Sequence, residues 1–296
     1  MCGIAGYCLD PKHYSRVSVA DLAGQMLLDI DHRGGHATGA AWINPKSQKR
    51  VIRKAPVNAL KFVKKSGDTL CDNATTAILH TRFATQGSPT IEGNNHPIPR
   101  GKIVLTHNGH ISNDSELFKQ LNVPRVAQVD SEAVAALVAF SKGKPWEYLT
   151  EVYGTAALAW ISATDSRVLH LARVNSSPLY LGQTDTGSLF YGSTLETIEN
   201  AAIMTDCDLD WTYEAKEGEY FQVKDGRVIE YKTFTPSRQT YTNWWNDPHY
   251  DRHYSKTPAL TPAVSNWSDE DEYYARYNVQ RAQRYAKAWK DYELDF

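Results

Sequence analysis

Met1-Cys2-Gly3-Ile4-Ala5-Gly6-Tyr7 opens the chain, and its second residue governs the reading of everything after it. Removal of the initiator methionine would leave Cys2 with a thiol and a free α-amine. One residue would then hold both a nucleophile and a base. An α-amine has a reference pKa of about 7.7–8.0, far below that of lysine, so part of it is neutral near pH 7. It can take the thiol proton directly or through one water, and the thiolate is the reactive species. The competing reading is an ordinary buried cysteine near a frayed terminus, since unpaired cysteine is among the most buried residue types.

The 296 residues suffice for one large domain or two modest ones, and 32 basic side chains balance 34 acidic ones. No long basic stretch is present, so no stable nucleic-acid partner is expected. Cys2, Cys8, Cys71 and Cys207 lack paired metal-ligand spacing, and no signal-peptide pattern precedes them. These features point to a cytoplasmic protein with free thiols. No apolar run approaches the roughly 18 residues that a membrane span needs. A glycine-rich phosphate loop with its lysine is also missing, so no nucleotide or other cofactor is expected.

Short apolar runs bounded by turn residues predict strands at 39–43, 50–53, 75–80, 103–106, 155–161, 168–172, 179–181, 189–191 and 220–223. Asp225-Gly226 before Val228-Ile229 predicts a tight hairpin, because that dipeptide readily supplies the positive φ such turns need. Helices are expected at 19–31, at 114–121 with Asn113 and Glu116 as a capping box, and at 131–140. Periodicity alone supports an α+β class, with stacked sheets covered by helices.

Composition changes after Phe234. The remainder from Pro236 holds four of the eight tryptophans and eight of the seventeen tyrosines. Its first half reads as irregular. Its second half predicts a helix opening at Ser268, with Tyr274, Tyr277, Tyr285, Trp289 and Tyr292 near one stripe. The boundaries expected are 2–234 for the main domain and 235–296 for an aromatic extension ending in a helix. That helix packs on its own domain or docks a partner protein. His249 and His253 beside Asp247 and Asp251 resemble a loose metal site, but a solvated segment explains them better, and no metal is expected.

Four further segments and a closing triplet complete a pattern with the Cys2 start. They are His32-Arg33-Gly34-Gly35-His36-Ala37-Thr38-Gly39, His80-Thr81-Arg82-Phe83-Ala84-Thr85-Gln86-Gly87, Asn94-Asn95-His96-Pro97, Thr106-His107-Asn108-Gly109-His110-Ile111-Ser112-Asn113, and Asp130-Ser131-Glu132. Together they resemble the class II glutamine amidotransferases, the glutaminase domains of the N-terminal nucleophile hydrolase superfamily. The likeness is to the glutaminase halves of glucosamine-6-phosphate synthase and glutamine phosphoribosylpyrophosphate amidotransferase, and runs from Cys2 to about Lys232. It implies a four-layer αββα sandwich with Cys2 as nucleophile.

The same resemblance assigns the remaining roles. Asn108 and Gly109 match the oxyanion positions, through a side-chain NH₂ and a backbone N–H; in isolation, Asn-Gly reads as a turn. Arg82 matches the group that grips the substrate α-carboxylate, and Asp130 the acid that pairs with its α-ammonium, with Asp130 also placed to cap the following helix. Phe83, Thr85 and Gln86 belong to the loop that covers substrate in relatives. Arg33 matches an arginine near the nucleophile, there to favour thiolate and orient the terminus. The chain departs from the pattern at His36, where aspartate is common, at Gln86, where histidine is frequent, and at Phe83, where tryptophan is frequent. His107 and His110 read as supporting residues, since the Cys2 amine already fills the base role.

The resulting expectation is a stand-alone glutaminase subunit that makes glutamate and ammonia through a Cys2 thioester, with the ammonia passed to a separate synthase. Two alternatives stay open: an N-terminal-cysteine hydrolase of another γ-glutamyl or nucleobase-related amide, and a non-catalytic glutamine-binding module.

Overall fold

The computed structural model describes residues 2–14 and 17–237. In chain order the strands are β1 (Gly3–Cys8), β2 (Ala37–Ile43), β3 (Arg50–Ala55), β4 (Thr76–Arg82), β5 (Ile98–Arg100), β6 (Ile103–Ile111), β7 (Gly154–Ser162), β8 (Asp165–Asn175), β9 (Tyr180–Thr184), β10 (Leu189–Gly192), β11 (Leu209–Glu214), β12 (Glu219–Lys224) and β13 (Arg227–Thr233). The helices are α1 (Val19–Asp29), α2 (Ala59–Ser66), α3 (Asp114–Leu121), α4 (Ser131–Phe140), α5 (Pro145–Tyr148) and α6 (Leu195–Met204).

The strands form two sheets whose pairings are antiparallel throughout. One runs β11-β9-β10-β1-β4-β2-β3 and the other β13-β12-β8-β7-β6-β5. Alternation along each strand sends side chains to opposite faces, and here both faces are covered. In β1, Ile4 and Cys8 point between the sheets while Ala5 and Tyr7 point outward under α1. In β7, Ala157, Ala159 and Ile161 meet the other sheet, while Ala156, Leu158 and Trp160 pack beneath α3 and α4. Three apolar layers therefore separate four structural layers, in the expected αββα order. Continuous apolar runs in the sequence follow from strands buried on both sides.

Local chemistry sets the element ends. Ser18 accepts the Asp21 N–H and starts α1, whose Val19, Leu22, Ala23, Met26 and Leu27 form its buried stripe. The helix stops at Asp29, short of the predicted 31. A 3-10 turn, Asp31–Arg33, follows, because the Asp31 carboxylate turns away to accept the Ala59 N–H at the start of α2. Asp225 (φ 50°) and Gly226 (φ 80°) make the predicted hairpin between β12 and β13. The predicted capping box at Asn113 is not formed. Its side chain instead takes the Tyr153 N–H (3.0 Å) and donates to the Glu151 carbonyl (2.9 Å), tying α3 to the chain entering β7.

Strands β1, β5 and β11 and helices α2, α5 and α6 were not expected from sequence. The predicted C-terminal helix and the His249–His253 pair lie outside the described residues. All four cysteines are unbridged. Among the described residues no helix is long and apolar enough to cross a membrane.

Two measurements test this packing. Ile78 is fully buried between the sheets, so Ile78→Ala should lower unfolding free energy by about 2–5 kcal/mol in urea melts, whereas Val126→Ala, at a side chain 80% exposed, should change it by less than about 0.5 kcal/mol. Burial also lowers His80 to about 3 and His170, stacked on Trp160, to about 4. Both fall below the ordinary histidine value of about 6.5, so the unfolded chain binds more protons between the folded and unfolded values. Stability is therefore complete above about pH 6.5 and falls as the solution is acidified, by roughly 2 kcal/mol per histidine at pH 5. An unchanged urea midpoint between pH 7 and pH 5 would contradict this.

Candidate active site

β1 lies at the middle of its sheet, paired with β4 on one side and β10 on the other, and this fixes the position of Cys2. The Ile4 N–H donates to Ser193 Oγ (3.0 Å), and the Ser193 N–H returns to the Ile4 carbonyl (2.9 Å). Gly3 has no room for a side chain: a Cβ there would lie 2.7 Å from Ile30 Cβ and 2.8 Å from Thr81 Oγ1. The terminus is thus clamped one residue away from the thiol.

The Cys2 sulfur approaches the Phe83 carbonyl at 3.5 Å, and Arg33 Nε donates to the Cys2 carbonyl at 3.2 Å. Arg33 sits in the 3-10 turn beside β4, and its buried Nη2 has no partner among the described residues. Cys2 is partly exposed as a residue, yet protein surrounds its sulfur closely enough that burial pushes the thiol above its ordinary range. The Phe83 backbone and the positive charge of Arg82 pull it part of the way back, and Asp130 pushes it up again. Cys2, Arg82 and Asp130 therefore share one electrostatic neighbourhood.

Asn108 and Gly109 belong to β6, not to a turn. Asn108 is 1% exposed, and its Nδ2 donor has no partner among the described residues. A buried amide donor left unpaired costs about 1–3 kcal/mol, so the site retains an unfavourable group aimed at something other than itself. Gly109 adopts φ 147° against Thr155: a Cβ there would lie 1.8 Å from the Thr155 carbonyl oxygen. Only glycine allows β6 and β7 to close at that point.

Asp130 precedes α4 and is buried. Its Oδ1 accepts the Ser131 N–H (2.9 Å), its Oδ2 accepts the Ile111 N–H (2.7 Å), and His110 Nδ1 lies 3.6 Å from Oδ2. Arg82 is 3% exposed, so it is not a surface charge. Its guanidinium donates to Asn95 Oδ1 (2.7 Å) and to the carbonyls of Gly87 (2.8 Å) and Gln86, bracing the loop that follows β4. Phe83 is 45% exposed and stacks on His36, ring centroids 4.8 Å apart. His36 Nδ1 accepts the Ala84 N–H (3.0 Å), so His36 fastens the loop after β4 as a neutral acceptor. Burial and the Arg82 charge hold His36 below its ordinary value, which suits that role. Thr85 is exposed on the same loop, and Gln86 contributes its carbonyl to Arg82.

Several supporting residues had no role assigned to them from sequence. Asn95 bonds Arg82 and donates to the Pro89 carbonyl (2.7 Å). Lys54, which burial brings down to about 8, donates to the carbonyls of Asn95 (2.7 Å) and Pro97 (3.3 Å). His80 Nε2 meets the His107 carbonyl at 3.0 Å, reaching from one sheet to the other just before Asn108. His96 stacks on His80 at 4.1 Å. A histidine inside an apolar strand, as at 80 and 107, was the available signal. Among the described residues no group of three or more His, Cys, Asp or Glu is placed to hold a metal ion.

Comparison with known proteins agrees with this geometry. Residues 80–200 match the family model described as "Glutamine amidotransferase domain". Glutamine–fructose-6-phosphate aminotransferase (isomerizing) from Streptococcus agalactiae is 30% identical over 256 residues, covering 79% of this chain and 39% of that protein. The protein of the same name from Caulobacter vibrioides is 34% identical over 206 residues, covering 65% and 32%. The chain thus spans well under half the length of these relatives. Among solved structures, glutamine phosphoribosylpyrophosphate amidotransferase from B. subtilis superposes with a TM-score of 0.63 at 19% identity, over 80% of this chain and 50% of that one, a likeness of fold. Together with the two antiparallel sheets and the Cys2 strand at the centre of one of them, these matches show that the chain carries a glutamine amidotransferase domain on the fold of the B. subtilis enzyme.

Proposed function

We propose that this chain hydrolyses the side-chain amide of glutamine, giving glutamate and ammonia through a thioester on Cys2, and that a separate synthase takes up the ammonia. The observation that carries the reading is the unpaired, buried Asn108 Nδ2 in the strand that also holds Gly109. A polar donor kept dry and unsatisfied is what a developing oxyanion requires, since its dipole needs no reorganisation when charge appears.

In the processed protein the α-amine of Cys2 takes the thiol proton, and the thiolate attacks the amide carbon of glutamine. The amide oxygen gains negative charge and accepts hydrogen bonds from Asn108 Nδ2 and the Gly109 N–H. Collapse expels ammonia, which leaves with the proton held by the α-ammonium, and a thioester remains. Water, deprotonated by the same amine, attacks the thioester through a second oxyanion and releases glutamate. Arg33, through its bond to the Cys2 carbonyl, holds the terminus in line for both steps.

Asp130 and Arg82 read the amino-acid end. Asp130 keeps lone pairs for an α-ammonium, and a substrate carboxylate would displace the weaker carbonyl acceptors of Gln86 and Gly87 from Arg82. Binding would then be coupled to the covering loop on which Phe83 and Thr85 sit. The His36–Phe83 stack would steady that loop.

Glutamate release by the purified, processed protein tests the proposal. Cys2→Ala should abolish turnover, and Asn108→Ala should lower kcat by about 10²–10³-fold with little change in KM. Persisting turnover in Cys2→Ala would overturn the thioester route. Faster release of ammonia from another γ-glutamyl amide than from glutamine would move the substrate assignment. For the synthase, affinity capture from the native cell should recover an acceptor-activating enzyme that raises glutaminase turnover; recovery of the chain alone and unstimulated would count against a separate partner.

A further inference from the structure

We infer that His107 is a positioning residue, one neutral imidazole whose two edges hold the oxyanion end and the ammonium-binding end of the site at a fixed spacing. The inference rests on the glutaminase reading and adds to it a residue with no contact to the substrate.

His107 lies in β6, immediately before Asn108, and is 2% exposed. Its Nε2 is 3.2 Å from the Thr155 carbonyl and its Nδ1 is 2.8 Å from Ser131 Oγ. A carbonyl oxygen can only accept, so Nε2 carries the proton. Nδ1 is then bare and takes the Ser131 hydroxyl proton. Burial lowers this histidine, in keeping with a neutral ring.

Each edge leads to a different half of the site. On the Nε2 side, the Thr155 carbonyl is packed on Gly109: a Cβ at 109 would lie 1.8 Å from that oxygen and 2.8 Å from His107 Nε2. The ring therefore anchors the start of β7 where it presses on the Gly109 peptide. On the Nδ1 side, Ser131 has a single hydroxyl proton and two acceptors within reach, His107 Nδ1 at 2.8 Å and Asp130 Oδ1 at 3.3 Å. The nearer imidazole takes it. Asp130 is thereby spared one donor, and its carboxylate stays free to bind an ammonium group. The Ser131 N–H still fixes the orientation of Asp130 from the first turn of α4.

The two edges can be separated experimentally, because a glutamine amide reaches the place of Nε2 and an asparagine amide the place of Nδ1. His107→Gln keeps the donor to Thr155 and loses the acceptor for Ser131. It should raise KM for glutamine roughly tenfold, the scale of one hydrogen bond, and leave kcat within about threefold. His107→Asn keeps the acceptor for Ser131 and loses the Thr155 bond. It should lower kcat roughly tenfold and leave KM within about threefold. Ser131→Ala, a gentler change, should raise KM as His107→Gln does, and the double variant should show no further rise. If the two histidine variants move kcat and KM together, or neither moves them, the ring only fills space and the inference is wrong.

A second readout does not depend on turnover. Two-bond ¹⁵N–¹H correlation spectra of the labelled parent protein at pH 7 should show His107 as the Nε2–H tautomer. An Nδ1–H tautomer or an imidazolium overturns the inference even if the parent hydrolyses glutamine. The expected tautomer in a protein that leaves glutamine intact would place the fault in the glutaminase reading.

Discussion

A buried amide donor with nothing to bond, at Asn108, is the constraint on which the remaining features of the site depend. Leaving such a group dry costs about 1–3 kcal/mol, a sizeable share of the 5–15 kcal/mol by which a typical domain is stable. The group stays in place because β6 is locked along its β7 edge. β7 pairs with it from Ile103 to Ile111, and Gly109 admits the Thr155 carbonyl where any side chain would collide. Asn108 is shut off from water, and no described neighbour bonds its Nδ2. On the proposed reading, a donor fixed in this way stands in place before charge develops.

The proposed site draws residues from both sheets, and many polar side chains are buried near them. Cys2 comes from the sheet centred on β1, while Asn108 and Gly109 come from the other. His80 crosses between them to the His107 carbonyl, and Arg82, at the end of the same strand as His80, braces the covering loop. Lys54 and Asn95 carry that bracing outward. Such groups are tolerated in an apolar interior only when their bonds are made, and most of these are. The exceptions, Asn108 Nδ2 and Arg33 Nη2, flank the place where chemistry is proposed. His80 Nδ1 and both ring nitrogens of His96 are also buried without a partner among the described residues, and the structure gives His96 no catalytic contact.

Much of the architecture was legible because double-sided burial writes itself as short apolar runs. Each predicted strand is present, often longer than predicted, since strand ends carry polar residues that a run of apolar letters misses. β1 escaped because Gly3, Ala5 and Gly6 have little strand propensity; its place is set by β4 and β10 on either side. Asn108-Gly109 would have been a turn by local preference, and tertiary pairing made it strand. Asn113 looked like a helix cap and instead spends its amide on the backbone at 151 and 153, a contact some forty residues away that no local pattern encodes. The motif residues themselves could be named in advance, but the bonds between them could not. Lys54 lies outside every motif, and what Asn95, Ser131 and Thr155 bond to is fixed only once strands distant in sequence lie side by side.

The most direct test is a crystal structure of the processed protein whose Cys2 has been trapped as a tetrahedral adduct with an aldehyde analogue of glutamine. The account requires the adduct oxygen to lie about 2.7–3.1 Å from both Asn108 Nδ2 and the Gly109 nitrogen, with the freed α-amine of Cys2 beside it. An adduct oxygen turned toward solvent or toward other donors, with Asn108 Nδ2 still unbonded, would contradict it.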